Sequence, residues 1–297
     1  MLTHVLSTPH SPARVLVLGA RGFVASATIG HLAAAGVPVA GLSANDLDLT
    51  AAESVGALAS QLRPDDALVF VSGLTPERGK DIATMMRNLQ MGQHVCAALA
   101  ERPCAHVVYV STDAVYHDDA NPLRESSCAE PSSYYGTMHA VRERMLIETT
   151  KASKTPLAVV RPAGLYGATD THNGYGPNRF ARAALAGESL KLFGNGEEQR
   201  DHVAIDDLAT AIGLVLDHRS SGVLNLATGA SSSFREAAEI VAGVLGSGVE
   251  IQPSTRVNPI THRHFDVSAR LLAFPDFQPV PLAEGLARMV RELQAAG

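Results

Sequence analysis

The 297-residue chain has little cysteine, little charge and no tryptophan. Its three cysteines, Cys96, Cys104 and Cys128, lack the spacing of metal ligands, which indicates unpaired thiols and favours a cytoplasmic protein without a metal site. The net charge of −6 excludes a strongly positive surface for nucleic acid or anionic lipid. No apolar run approaches the roughly 18 residues that cross a membrane. Residues 1–12 lack the pattern of a signal peptide, and we expect them to form a loose arm.

The most informative stretch is an apolar strand, residues 15–18, that runs into a glycine turn and an alanine-rich helix. The turn has the spacing Gly19-x-x-Gly22-x-x-Ala25. Gly19 lets the backbone turn at positive φ, and Gly22 leaves room for a ligand to approach the backbone. The first N–H groups of the helix have no partner within it and point over the turn. This pattern predicts that a dinucleotide diphosphate binds here.

The identity of the dinucleotide is left open by the end of the second predicted strand, residues 37–42. An NAD site usually has an acidic residue there that holds the ribose hydroxyls. Positions 41–43 are Gly, Leu and Ser, and the first acids are Asp46 and Asp48. Arg21 in the glycine turn could pair with the 2′-phosphate of NADP, or it could be a solvated turn residue. Both NAD and NADP therefore stay open.

Further apolar runs at residues 67–71, 106–110 and 157–161 alternate with helical segments and indicate an open parallel α/β sheet. We expect a short strand near residue 45, and a helix with Thr50 as its N-cap. After Pro162 the sequence becomes rich in Gly, Asn and Thr. We therefore predict that residues 13–167 form mainly the dinucleotide-binding domain. Residues 168–297 form mainly the substrate-binding lobe, with excursions back to the sheet at about 200–230.

Six motifs in order resemble the extended short-chain dehydrogenases, a group of nucleotide-sugar epimerases, 4,6-dehydratases and 4-keto-sugar reductases. They are Gly19-Ala-Arg-Gly-Phe-Val-Ala, Tyr109-Val-Ser-Thr-Asp-Ala-Val-Tyr116, Pro131-Ser-Ser-Tyr-Tyr-Gly136, Arg161-Pro-Ala-Gly-Leu-Tyr-Gly167, Arg200-Asp-His-Val-Ala-Ile-Asp-Asp207 and Gly222-Val-Leu-Asn-Leu-Ala-Thr-Gly229. The resemblance implies a Rossmann-type doubly wound parallel sheet with a smaller C-terminal substrate-binding lobe. It also implies a homodimer formed by helices at 81–99 and 134–149.

The resemblance assigns the catalytic proton transfer to Tyr135 and a hydrogen bond to the same substrate oxygen to Thr112. The family has a lysine four residues after the tyrosine, where this chain has His139. A histidine can still bond the nicotinamide ribose, but it is cationic only below about pH 6.5 unless its pKa is shifted. Asp113 is followed by Ala114 and not by the glutamate of the dehydratases, so dehydration is not expected.

The other implied site residues fall into two groups. The cofactor-binding group is Gly19, Arg21, Gly22, Phe23, Val24, Asp48, Leu49, Ser72, Gly73, Asn88, Tyr135, His139, Pro162 and Leu165. The substrate-binding group is Thr112, Asp113, Asn178, Arg200 and Arg263. Guanidinium forks suit a nucleotide diphosphate. The alternatives are an ion pair of Arg200 with Asp201 or Asp206, and a solvated Arg263. Gly164 replaces an asparagine that touches the substrate in many relatives.

Two functions follow from these expectations. The first is an NAD(P)-dependent oxidoreductase or epimerase that acts at a carbinol or keto carbon, C4, of a nucleotide-linked sugar. The second, suggested by His139 alone, is a catalytically weak or inactive dinucleotide-binding sensor or scaffold. The first is preferred, because Thr112, Tyr135, the glycine turn and Arg200 all agree with it.

Overall fold

The computed structural model describes residues 2–246, 248–257 and 259–296. The strands are β1 Arg14–Leu18, β2 Val39–Leu42, β3 Asp66–Phe70, β4 His106–Val110, β5 Leu157–Pro162, β6 Gly164–Tyr166, β7 Leu190–Phe193, β8 Gln199–Ala204, β9 Gly222–Leu226, β10 Ser231–Ser233 and β11 Ile251–Ser254. The helices are α1 Phe23–Ala34, α2 Ser54–Gln61, α3 Ile82–Glu101, α4 Tyr134–Ser153, α5 Pro177–Leu185, α6 Ile205–Asp217, α7 Phe234–Leu245, α8 Ser268–Ala273 and α9 Leu282–Ala296. Two 3₁₀ turns cover Pro76–Arg78 and Asp113–Val115.

The centre of the molecule is a six-stranded parallel sheet in the order β2–β1–β3–β4–β5–β9. The strand order reverses beside β1, which lies between β2 and β3. In an open parallel sheet such a reversal leaves a crevice at the carboxyl ends of the strands, where ligands bind. The α/β class and the parallel sheet expected from the sequence are confirmed.

The apolar strands are continuous runs because each is covered on both faces. Val15 and Val17 belong to the core with α1 and α6, whereas Leu16 and Leu18 belong to the core with α2, α3 and α4. Successive strand residues point to opposite faces, so one strand supplies both layers. Each such buried side chain contributes about 1.5–3 kcal/mol of transfer free energy.

A third core lies under α5, α7 and α9 in the second half of the chain. Phe180, Ala237 and Leu286 pack there with Leu190 and Leu192 of β7. Between these elements the chain returns to the central sheet, because β9 pairs with β5. The boundary at residues 167/168 stays a prediction. None of the described helices has the length and apolar composition that crossing a bilayer requires.

The expectation of a loose N-terminal arm is wrong. Thr3 and Ser221 exchange two backbone hydrogen bonds of 2.8 Å. The His4 ring stacks on His218 and bonds the Ser220 hydroxyl at 2.8 Å. Leu2 is buried, so the arm contributes apolar surface to the core beside α6. Because these contacts join residues more than 200 positions apart, the local sequence of the arm does not indicate them.

The expected strand near residue 45 and the Thr50 N-cap are also wrong. The chain makes a turn at residues 44–46, where Asp46 accepts hydrogen bonds from the backbone and the hydroxyl of Ser43. The Thr50 hydroxyl donates to Asp48 at 2.7 Å, and α2 begins later, at Ser54, without a side-chain cap. Local hydrogen bonds of Asp and Ser thus compete with regular structure here.

Candidate active site

The glycine turn lies at the reversal of strand order, at the carboxyl end of β1. Gly19 has φ +95°, and a Cβ at this position would lie 3.0 Å from the Ser72 Cα. Its carbonyl oxygen accepts the Gly22 N–H at 2.8 Å. The turn therefore touches the residues that follow β3, and glycine is required both for the positive φ and for this close approach.

The N-terminus of α1 fits an anionic group. Gly22 is the N-cap residue, no side chain caps the helix, and no acidic residue lies in its first turn. Phe23 and Val24 begin the helix, so the N–H groups of this turn face the crevice without an intrahelical partner. This arrangement, together with the helix dipole, suits a dinucleotide diphosphate.

Ser72 and Gly73 form the opposite wall of the crevice, and Asn88 holds that wall in place. The side-chain amide of Asn88 accepts the Leu74 N–H at 2.7 Å and donates to the Leu74 carbonyl at 2.9 Å. This pair of bonds fixes the loop after β3 to α3. It also accounts for a buried asparagine in mid-helix, where the residue is otherwise unfavourable.

The predicted adenosine end of the crevice lies beyond β2. Leu49 is buried, and Asp48 is engaged with the hydroxyl and the N–H of Thr50. Hydrogen bonds from Ser43, and more weakly the charge of Arg21, lower the pKa of Asp46. Arg21 is exposed, so its guanidinium is accessible to a ligand.

Thr112 and Tyr135 come from two elements in close contact. The Thr112 hydroxyl accepts the Ala114 N–H at 3.2 Å, at the turn that follows β4. Tyr135 is in the first turn of α4, and its neighbour Gly136 packs against this turn. A Cβ at position 136 would lie 2.1 Å from the Ala114 carbonyl oxygen. Only glycine lets α4 approach β4 this closely.

Tyr135 is a neutral phenol at pH 7 in this structure. Burial, and then the carboxylate of Asp113, raise the pKa of Tyr135 to about 12. Burial also raises the pKa of Asp113, although the guanidinium groups of Arg263 and Arg200 oppose this shift. A phenol in this state is a proton donor, and it becomes a base only with added positive charge.

His139 does not supply that charge. Its ring is buried and lies edge-on to Tyr135, with 4.6 Å between the ring centroids. Its Nδ1 shares a hydrogen bond of 2.7 Å with the Tyr109 hydroxyl. Burial, and then the nearby Arg142, lower the pKa of His139 well below its usual range. The residue is therefore neutral, as the absence of the family lysine suggested.

Arg142, which lies two turns after Tyr135 on α4, was not predicted as a site residue. Its guanidinium is buried and donates to the Ser72 carbonyl at 2.8 Å and to the Asn88 carbonyl at 2.8 and 2.5 Å. It also lies over the Phe70 ring at 4.9 Å. A spacing of seven residues places Arg142 on the same helix face as Tyr135, which was the available signal.

A buried polar network beside Thr112 was not predicted from the sequence either. Glu143 accepts a hydrogen bond of 2.5 Å from Ser111 and pairs with Arg161 through two further bonds of 2.9 and 2.5 Å. Arg161 also donates to the Tyr116 hydroxyl at 2.8 Å, and this hydroxyl donates to Asn225 at 2.6 Å. The network connects α4 with β4, β5 and β9, and thereby fixes the strand ends that carry the site.

The predicted substrate residues Asp113 and Arg263 meet at the mouth of the crevice. The Arg263 guanidinium lies 2.8 Å from the Asp113 carbonyl, 3.5 Å from its carboxylate and 2.7 Å from the Asp118 carboxylate. The alternative of a solvated Arg263 is therefore wrong. Arg200 pairs with Glu198, and not with Asp201 or Asp206, and also donates to the Thr261 carbonyl.

Three further predicted residues lie in α5, β5 and β6. Asn178 is buried, accepts the Gly167 N–H at 3.0 Å and donates to Asp170 at 2.5 Å. Both polar atoms of its side chain are thus engaged within the protein, and its contact with substrate stays a prediction. Pro162 ends β5, and Leu165 lies in β6.

The chain is similar in sequence and in fold to several known proteins. Residues 15–227 match the NAD dependent epimerase/dehydratase family. The chain is 28% identical over 306 aligned positions to a UDP-glucose 4-epimerase of Mycolicibacterium smegmatis, covering 93% of this chain and 97% of that protein. It is 26% identical over 326 positions to a dTDP-4-dehydro-6-deoxy-D-allose reductase of Streptomyces bikiniensis, covering 93% and 95%.

Among solved structures, the UDP-glucose 4-epimerase of Thermus thermophilus in complex with NAD has a TM-score of 0.85 at 23% identity, covering 96% of this chain and all of that one. At this identity the likeness shows the fold. The family match extends over more than half of the chain and includes the glycine turn, Thr112 and Tyr135. The motif resemblance is confirmed: the chain belongs to the NAD dependent epimerase/dehydratase family.

Proposed function

We propose that the protein is an NAD(P)-dependent epimerase or reductase that acts at C4 of a nucleotide-linked sugar. The observation that carries the proposal is the close contact between the first turn of α4, which holds Tyr135, and the turn that holds Thr112, next to a crevice with an uncapped helix N-terminus. Relatives along almost the whole chain are a UDP-glucose 4-epimerase and a 4-keto-sugar reductase.

Tyr135 and Thr112 have different roles at the substrate oxygen. Tyr135 transfers the proton, and Thr112 hydrogen-bonds the same oxygen and orients the carbon for reaction. The nicotinamide of a bound dinucleotide supplies or accepts the hydride. Ser72, Gly73 and the N-terminus of α1 hold the dinucleotide against the sheet. His139, whose ring packs on the Tyr135 ring, is assigned to the nicotinamide ribose.

The protonation state of Tyr135 favours the reductive direction. A phenol whose pKa is raised to about 12 keeps its proton at pH 7 and can give it to an alkoxide oxygen, which is a much stronger base. Oxidation of a carbinol requires the opposite transfer, to a phenolate that is scarce at pH 7. Reduction of a 4-keto sugar is therefore the easier half of the proposed reaction.

Arg200 and Arg263 are proposed to bind the diphosphate of the nucleotide sugar. Both guanidinium groups lie near Asp113 and are held by carboxylates, Glu198 and Asp118. The diphosphate replaces these partners with stronger anionic acceptors. Asp113 then lies between the diphosphate-binding groups and the reacting carbon.

The choice between NAD and NADP is assigned to Arg21. No acid lies at the end of β2, and Arg21 is exposed near Asp46. We propose NADP as the better ligand, because the guanidinium pairs with a 2′-phosphate. Replacing Arg21 with Ala should weaken NADP binding about two- to fivefold and leave NAD binding unchanged. Equal effects on the two dissociation constants, measured calorimetrically, contradict this assignment.

We also propose a homodimer and a cytoplasmic location. Helices α3 and α4 pack side by side and expose four apolar side chains, Ile82, Met86, Val141 and Ile147. Met86→Glu should convert a dimer to a monomer in analytical ultracentrifugation, and a monomeric native protein excludes the dimer.

The thiols of Cys96, Cys104 and Cys128 are free, as expected in a reducing compartment.

The primary test identifies ligands that copurify with the native protein by mass spectrometry. The purified protein is then incubated with 4-keto and 4-hydroxy nucleotide sugars, and nicotinamide absorbance and product stereochemistry are followed. Turnover that Tyr135→Phe abolishes supports the proposal, with Tyr134→Phe as the matched control on the adjacent exposed residue. No turnover with any member of the panel contradicts it.

The neutral, buried His139 favours one alternative, a dinucleotide-binding sensor or scaffold with little activity. The sensor binds the dinucleotide tightly but gives no absorbance change with any sugar. A sugar-dependent change in nicotinamide absorbance rules it out.

A further inference from the structure

Arg142 is a buried cation without a carboxylate partner among the described residues. All three of its nitrogen atoms donate to carbonyl or amide oxygens, at Ser72 and Asn88. Burying an unpaired charge is expensive, and loop carbonyls could be bonded by neutral donors at lower cost. The arrangement thus has a net positive charge inside the wall of the proposed nicotinamide crevice.

The surrounding structure is shaped around this side chain. Gly92 on α3 faces the aliphatic part of Arg142, and a Cβ at position 92 would lie 2.9 Å from the Arg142 Cγ. The Phe70 ring covers the other side of the guanidinium at 4.9 Å. The space beside Gly92, the Phe70 ring and the carbonyl oxygens of the loop and α3 together fix the position of the Arg142 guanidinium.

The Arg142 guanidinium lies beside the groups that control the ionisation of Tyr135. The positive charge of Arg142 acts on Tyr135 and on Tyr109, and in both cases it favours the ionised phenol. Tyr109 in turn shares its hydrogen bond with His139, which packs on the Tyr135 ring. The charged and titratable groups around Tyr135 are Asp113 after β4, Glu77 after β3, Tyr109 on β4, and His139 and Arg142 on α4.

We propose that Arg142 supplies to Tyr135 the positive potential that a lysine at position 139 supplies in the family. The residue acts through its field and through the Tyr109–His139 hydrogen bond, and so positions the proton transfer without touching the substrate. The inference rests on the proposed function, because it assigns a part in that reaction.

The neutral histidine at position 139 is compatible with a buried guanidinium at position 142. A lysine there would place a second ammonium group in the same buried region as the Arg142 guanidinium, and like charges in such a region repel strongly. Histidine stays neutral and keeps a hydrogen bond to Tyr109. The cation is thus displaced from position 139 to position 142, and the two positions should be coupled.

The first test measures the titration of Tyr135 in the full chain without cofactor or substrate. A fluorinated tyrosine at position 135 lowers the intrinsic pKa into the range where the protein is stable, and ¹⁹F NMR reports its ionisation. Arg142→Gln should raise the midpoint by about one pH unit, whereas Arg142→Lys should change it little. Arg144→Gln is the matched control, because it removes a charge from the exposed side of the same helix. Equal shifts in the Gln and Lys variants, or no shift in Arg142→Gln, overturn the inference.

The second test uses thermal unfolding, in case Arg142→Gln alone does not fold. His139→Lys should lower Tm by roughly 5–10 °C, and the double variant His139→Lys/Arg142→Gln should regain most of that loss. A double variant that is no more stable than His139→Lys, or that does not fold, overturns the coupling. Both readouts are independent of turnover. An altered Tyr135 titration without activity on any sugar contradicts the proposed function alone, and activity with an unaltered titration contradicts this inference alone.

Discussion

The close contact between α4 and the turn after β4 gives the sharpest test of the site geometry. In Gly136→Ala, the new methyl group would lie 2.1 Å from the Ala114 carbonyl oxygen and 2.7 Å from the Pro131 Cβ. Both neighbours are rigid, one a backbone atom and the other part of a ring. The helix must therefore withdraw by about 1 Å before the carbon–oxygen contact is tolerable.

Tyr135 precedes Gly136 and moves with the helix, while Thr112 stays with β4. A misplacement of about 1 Å between two groups that act on one oxygen lowers kcat about 100-fold. The strain should reduce the free energy of unfolding by about 1–3 kcal/mol, as other overpacked sites do. The proposed diphosphate contacts lie on α1, a different element, so most of the cofactor binding should be retained.

The assay combines turnover on a nucleotide sugar that the panel above shows to be a substrate, calorimetric binding of the dinucleotide and urea unfolding. Gly30→Ala is the control, since a Cβ at Gly30 in α1 has open space around it. That substitution should stabilise the protein by about 0.5–1 kcal/mol and leave kcat unchanged. Full turnover by Gly136→Ala at normal stability would refute the proposed placement of Tyr135 against Thr112.

Three further predictions concern charge. Glu143→Gln leaves Arg161 buried without its carboxylate and should lower the free energy of unfolding, measured in urea, by about 3–5 kcal/mol; a loss below 1 kcal/mol contradicts a role for the network in stability. A hydrogen bond to Asp170 raises the pKa of His172, so protonated His172 stabilises the folded protein. This stabilisation is complete below pH 6.5 and is lost as the pH rises through the higher folded pKa. Tm should fall over that range, and His172→Gln should remove this part of the slope. Because the pKa of Tyr135 is raised to about 12, the rate of carbinol oxidation should rise about tenfold per pH unit between pH 6 and 9; a flat profile indicates another base.

The sheet and the glycine turn could be predicted because their causes are local. An apolar run of five residues can be covered on both faces, and Gly19 has the positive φ that its position requires. In each case the sequence within a few residues determines the outcome.

The environment of Tyr135 could not be predicted in this way. The pairing of Glu143 with Arg161 joins a helix to a strand, and the contact of Arg142 with Ser72 joins residues 70 positions apart. Such contacts depend on how α4 is placed on the sheet. The motif resemblance identified His139 as a departure, but it could not show that a neighbouring residue carries the positive charge.

The turn after β4 is where the two halves of the chain meet at the site. Gly136 brings α4 against it from one side, and Arg263 reaches Asp113 from a segment 150 residues later. If Arg263 binds the diphosphate of the substrate, it must leave the carboxylates of Asp113 and Asp118. Asp113 would then lose part of the charge that favours its ionised form, and a protonated Asp113 would no longer raise the pKa of Tyr135. In that case, diphosphate binding by Arg263 would be coupled to the acidity of the phenol on α4.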